Sequence, residues 1–138
     1  MRVLLDTNVV LDLLLDRDGF VEDATVIWEA NARGEIEAFI AAITPINVFF
    51  ITRKSRGLDA ARRYGEQLLA SLQVCPLNHQ ALLAAEILPL KDYEDAVQLA
   101  CALFNNIDAI VTRDLGDFTN SSLPVYSPAD FVTLLKLK

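Results

Sequence analysis

The chemistry available to this sequence lies in its acids. One stretch, Asp92-Tyr93-Glu94-Asp95-Ala96-Val97-Gln98-Leu99-Ala100-Cys101-Ala102, has two aspartates three apart at the head of a small-residue helical run. Asp6 ends the first apolar run, and Asp114 stands two residues past a second, Asp108–Thr112. These three carboxylates are far apart in sequence, yet each sits where a strand ends or a helix begins. Brought together without a counter-charge they oppose one another: two like charges about 6 Å apart repel by roughly 3 kcal/mol at an effective dielectric of 20. Convergence therefore requires raised pKa values or a bound cation. An all-oxygen ligand set favours Mg²⁺ or Mn²⁺ over zinc.

The elements that must position these acids follow from periodicity and punctuation. Residues 2–6 predict a short buried strand, and Thr7 or Asn8 can cap the helix after it, which Asp18-Gly19 ends. A helix is expected over 20–33 with Gly34 as its stop, then a strand over 35–41. Thr44-Pro45 predicts a helix start, running to Gly57, and a further helix covers 58–72. A strand over 73–77 precedes a helix capped by Asn78 and ended at Leu88-Pro89. The helix over 92–105 should face the core with Ala96, Leu99, Ala100, Leu103 and Phe104. A strand over 108–112, the polar turn 113–118, a strand over 123–126 and a helix opened by Ser127-Pro128 complete the chain. Alternating strands and helices predict an α/β fold with a parallel sheet of about five strands. With no repeat, linker or low-complexity segment, residues 1–138 are expected to form a single domain. In open parallel sheets ligands bind beyond the carboxyl ends of the strands. If the first and fourth strands are neighbours, Asp6, Asp95 and Asp114 can converge there.

Composition narrows the function. Nineteen acids against twelve lysines and arginines leave a net charge of −7, which argues against a simple electrostatic nucleic-acid clamp. It leaves open an enzyme that reaches phosphate through a metal. No apolar run approaches the ~20 residues of a membrane span, and Asp6 comes too early for a signal peptide, so a cytoplasmic protein is expected. Cys75 and Cys101 have no CxxC or histidine partner and are expected to be buried thiols. No glycine-rich phosphate loop is present. Five basic residues fall between positions 53 and 63, among them Arg53, Lys54 and Arg56. They form either a solvated turn or a rim that contacts phosphate. Arg113, beside Asp114, can meet a substrate phosphate or salt-bridge an acid. Asp12 is expected on a solvated helix face, Asp92 as a helix cap, and His79 at the surface.

At these positions the sequence resembles a known family. Asp6-Thr7-Asn8-Val9-Val10-Leu11-Asp12 is similar to the opening DTNVxLD signature of PIN domains, including VapC-like toxins. Asp92-Tyr93-Glu94-Asp95-Ala96 resembles their third acidic motif, and Thr112-Arg113-Asp114-Leu115-Gly116-Asp117-Phe118 their fourth, TRDxxDF. The motifs keep the family's order and spacing across essentially the whole chain. The resemblance implies a twisted, mainly parallel sheet flanked by helices. It implies an Mg²⁺- or Mn²⁺-dependent ribonuclease, often dimeric and often neutralised by an antitoxin. By motif, Asp6, Asp95 and Asp114 form the acidic site with Asp117 nearby; Thr7 and Thr112 orient it, and Asn8 supports the Asp6 turn. One position departs: where the family usually has an acid early in the helix after the second strand, this chain has Asn47. An amide can ligate a cation or orient water but supplies no charge. The rival reading is therefore a PIN domain with weakened catalysis that binds RNA or protein. A haloacid-dehalogenase-type phosphotransferase would need an aspartate where Asn8 stands, and a receiver domain a lysine near Val125-Tyr126.

Overall fold

In the computed structural model, which describes residues 1–137, five short strands form one parallel sheet. They are β1 (Arg2–Leu5), β2 (Glu37–Ala41), β3 (Gln73–Cys75), β4 (Ala109–Val111) and β5 (Val125–Tyr126), in spatial order β3-β2-β1-β4-β5. The helices are α1 (Thr7–Leu14), α2 (Val21–Ala32), α3 (Ile43–Arg56), α4 (Leu58–Ser71), α5 (His79–Ile87), α6 (Tyr93–Phe104) and α7 (Pro128–Lys136), with a 3₁₀ turn at Leu115–Phe118. The α/β class and the five-stranded parallel sheet expected from the alternation of elements are those of the structure.

The strands read as continuous apolar runs because both faces of the sheet are covered. Val3, Leu5, Ala38, Ile40 and Val111 point to one side, into a core with Val9, Val10, Ile27, Leu68 and Phe131. Their neighbours Leu4, Phe39, Ala41 and Ile110 point to the other, against Ala96, Leu99, Ala100, Cys101 and Phe118. Alternation along each strand thus fills two cores rather than one. Both cysteines are free and buried, and burial pushes the Cys75 thiol up to about 11.

Most expected boundaries hold within two residues. Asn78, Asp92 and Ser127 cap their helices, accepting from the backbone N–H groups of Ala81, Asp95 and Asp130. α3 differs: it begins at Ile43, so Thr44 lies inside its first turn, and its buried hydroxyl meets Thr7 Oγ1 at 3.0 Å. A tertiary partner has claimed the residue that would otherwise cap. Gly57 joins α3 to α4 at φ 91° and ψ 174°, a backbone conformation open essentially to glycine alone. Leu103 and Phe104, which the helical period turns inward, are 40% and 57% exposed. The period sets a side chain's direction, but burial on α6 stops at Ala102, short of the helix's end. Among the described residues no helix is long and apolar enough to cross a membrane.

Candidate active site

The chain leaves β1 toward β2 on one side, and β4 lies on the other. The carboxyl ends of β1 and β4 therefore flank the point where strand order reverses, the usual place for a ligand in such sheets. Leu5 pairs with Val111, so the next residues, Asp6 and Thr112, emerge side by side. Asp6 occupies the N-cap position of α1, and its side chain makes no capping bond. It is only 5% exposed and is held from three directions. Thr112 Oγ1 donates to Oδ2 at 2.7 Å, Gln98 Nε2 to Oδ1 at 2.9 Å, and Asn8 Nδ2 to Oδ2 at 3.3 Å.

Asn8 also donates to Asp114 Oδ2 at 3.0 Å, so one amide nitrogen bridges two carboxylates. Thr112 likewise serves both acids: its hydroxyl accepts the Asp114 backbone N–H at 3.0 Å. Asp117 sits in the 3₁₀ turn, which the buried Phe118 ring anchors to the core. From the other side α6 brings Glu94 and Asp95 in its first turn, with Asp92 as cap. A cleft of about 280 Å³ results, lined by Asp6, Asp92, Glu94, Asp95, Asp114 and Asp117, and among the described residues no basic one lines it. Asp95 is pushed up to about 7, first by partial burial and then by the charges of Asp6, Asp92, Asp117 and Glu94. Glu94 is raised by partial burial and by Asp6 and Asp92, while contacts with Asn47 and Thr7 work the other way.

The donor set suits a hard divalent cation. Among the described residues every charged group lining the cleft is a carboxylate, and Asp6 is held by neutral donors that leave its charge uncompensated. Gln98, fully buried, has an orphaned Oε1 beside this site. Turning the amide round would set that oxygen against Asp6, so the carboxylate dictates its orientation. The acids ring the cleft rather than close on a point: among the described residues no three acidic, histidine or cysteine side chains form a ready-made cage.

Several residues stand elsewhere than expected. Asp12 is fully buried rather than solvated. Arg113 grips it with two bonds, Nε at 2.7 Å and Nη2 at 3.1 Å, and Arg17 adds a third at 3.4 Å. The Arg113 guanidinium also lies over the Phe20 ring, 4.1 Å from its centroid. Its side chain is thus committed to Asp12, away from Asp114. A larger hollow, about 390 Å³, opens on that side between Phe20, Arg113 and Pro128, but gathers no group of acids. Arg53 and Lys54 are exposed in the last turn of α3, just beyond Ile51, which lines the cleft. Arg56 is held by Tyr64 Oη and the Leu15 carbonyl. Asn47 lies beside Glu94 in an apolar hollow next to the cleft. His79 is exposed at the start of α5. Sequence reasoning missed Glu94, Thr44 and Gln98 as parts of the site. Gln98 had a signal: a lone amide amid small apolar residues, three positions after Asp95.

Comparison with known proteins agrees with this fold. No curated protein matches the chain in sequence. Among solved structures, VapBC-1 from nontypeable Haemophilus influenzae is similar at 19% identity and TM-score 0.71, over 94% of this chain and 99% of that one. VapC20 from Mycobacterium tuberculosis, a sarcin-ricin loop cleaving toxin, is 15% identical with TM-score 0.70, over 88% and 95%. A toxin–antitoxin complex from Klebsiella pneumoniae is 23% identical with TM-score 0.67, over 91% and 97%. These likenesses establish a shared fold. The PIN domain family matches residues 2–116, which take in β1 through β4 and all the acids of the cleft except Asp117; the chain belongs to the PIN domain family.

Proposed function

We propose that this chain is a divalent-metal-dependent ribonuclease that hydrolyses RNA phosphodiester bonds, with residues 1–138 acting as one domain. The carrying observation is the cleft at the sheet's switch point, with six acids and, among the described residues, no basic one in its lining. Asp6, Asp95 and Asp114, with Asp117, would hold Mg²⁺ or Mn²⁺. When bound, such an ion polarises a phosphodiester and lowers the pKa of a water. The chain's own residues do the positioning. Thr112 and Gln98 fix the two oxygens of Asp6, and Asn8 spaces Asp6 from Asp114. Arg53 and Lys54, exposed beyond Ile51, would meet the RNA backbone at the rim. One similar structure is a toxin–antitoxin complex, and VapC20 is a sarcin-ricin loop cleaving toxin. The same reading makes this chain a cytoplasmic toxin, dimeric and held in check by an antitoxin.

The test is cleavage of RNA by purified protein in Mg²⁺ or Mn²⁺ against EDTA, beside Asp95→Asn. Metal-dependent cleavage that the variant loses supports the nuclease. Asn47 favours a second reading, a PIN domain that binds RNA or protein without turnover. Folded protein that binds Mn²⁺ but cleaves nothing across a broad RNA panel would favour it. Cleavage that persists in Asp95→Asn would sink the site assignment.

A further inference from the structure

Glu94 stands apart from the other acids of the cleft. Successive helix residues point about 100° apart, so Glu94 and Asp95 leave α6 in different directions. Asp95 faces Asp6 and Asp117, whereas Glu94 lines two places at once, the acid cleft and the hollow that Asn47 shares with Ile43, Leu82, Tyr93 and Val97. Its carboxylate shares the hollow with Asn47 and the cleft with Thr7, and both neighbours favour its charged form. Thr7 is tied in turn to Thr44, one turn before Asn47 on α3. Residues of α1, α3 and α6 thus line the two spaces that this one carboxylate borders.

Helix-dipole stabilisation alone does not explain this arrangement. An acid in the first turn of α6 would serve the dipole equally well pointing into water. Here the side chain borders a hollow that α3 also lines, beside a neighbour that can only help it by being a donor. Asn47 offers an N–H₂; a carboxylate at that position would repel Glu94.

We propose that Glu94 supplies the cleft's cation-directed charge on the α3 side, and that Asn47 is neutral because it positions Glu94. Position 47 and position 94 then share one carboxylate between them, carried by α6 in this chain. This assignment rests on the metal-dependent reading above.

The test is Mn²⁺ binding to the full chain, by calorimetry and electron paramagnetic resonance, with folding checked by circular dichroism in EDTA. Four proteins are compared: wild type, Asp6→Asn, the near-isosteric Glu94→Gln, and the exchange Asn47→Glu with Glu94→Gln. Asp6→Asn is expected to lose the ion. Glu94→Gln should bind it at least about tenfold more weakly, the scale on which groups that support metal ligands act. The exchange should recover most of that loss. Wild-type affinity in Glu94→Gln, with Asp6→Asn defective, overturns the role of Glu94 and leaves the nuclease standing. A weakened Glu94→Gln that the folded exchange does not rescue overturns the sharing of one charge between the two positions. No Mn²⁺ binding by wild type overturns this assignment and the metal-dependent reading together.

Discussion

Asp6 and Asp12 lie six residues apart, one at the head of α1 and one within it; both are buried, and they are treated in opposite ways. Asp12 meets two arginines, one of them with paired bonds of 2.7 and 3.1 Å. Asp6 meets an amide, a hydroxyl and a second amide, and faces a cleft that adds five further acids. A carboxylate matched by a guanidinium has its charge answered within the protein. Neutral donors fix a carboxylate's orientation and leave its charge available. Asp12 therefore belongs to the architecture, tying α1 to the loop that carries Asp114, while Asp6 presents an unpaired carboxylate to the cleft, as the proposed cation site requires.

Breaking the Asp6 side of this contrast should have the largest effect. Asp6→Asn is expected to reduce RNA cleavage beyond the roughly 10- to 100-fold that follows loss of a merely supporting group. Its metal-free melting temperature should hardly fall, since one repelling charge has gone. Breaking the Asp12 side should do the reverse. Asp12→Asn leaves Arg113 half-buried without its partner and should cost about 3 kcal/mol of stability by denaturant unfolding. Mn²⁺ affinity of the folded fraction should stay close to wild type; a collapse of affinity with intact stability would erase the distinction.

Thr112→Val sharpens the contrast, because it removes a neutral donor to Asp6 and an acceptor for Asp114 N–H. A stability loss of about 1–2 kcal/mol is expected, with weaker Mn²⁺ binding. Calorimetry and thermal melts would show both.

A smaller effect concerns protons. The Asp95 carboxyl is held up to about 7, first by burial and then by Asp6, whereas in an unfolded chain it ionises near ~4. Between those values the metal-free folded state keeps a proton that the unfolded state has released, so stability falls as pH rises from about 4 to about 7. In EDTA, Asp95→Asn should therefore melt above wild type at about pH 8 and lose that advantage toward about pH 4. Equal melting temperatures at the alkaline end would mean that the acids in the cleft do not oppose one another. The smallest change is expected from removing Arg53 and Lys54 together. RNA affinity should drop a few-fold, and its logarithmic salt slope should shrink by about 0.7 for each phosphate no longer neutralised.

Much of this organisation is visible in the residues. The alternation of β1, α1, α2 and β2 follows from apolar runs and stop signals. The caps at Asn78, Asp92 and Ser127 are local events, set by a side chain and the N–H three residues on. Asp6 and Asp114 could be placed because each closely follows a strand. Thr44 shows where such reasoning stops: it has the right type and neighbour for a cap, but a threonine 37 residues away holds its hydroxyl. Asp12 shows it again. It lies off the apolar stripe of α1, which in an isolated helix means solvent, yet Arg113 arrives from 101 positions away to bury it.

What the sequence alone determined, then, was the set of elements, the fold class and the acids at strand ends, because each depends on residues within one or two turns of each other. The tertiary structure decided which acids are charge-paired and which are left open, that Gln98 orients Asp6, and that Glu94 faces Asn47. Those outcomes rest on β1 and β4 lying side by side and on how α3 and α6 flank them. Electrostatic partnership depends on distance in space, and only packing sets that distance for residues far apart along the chain.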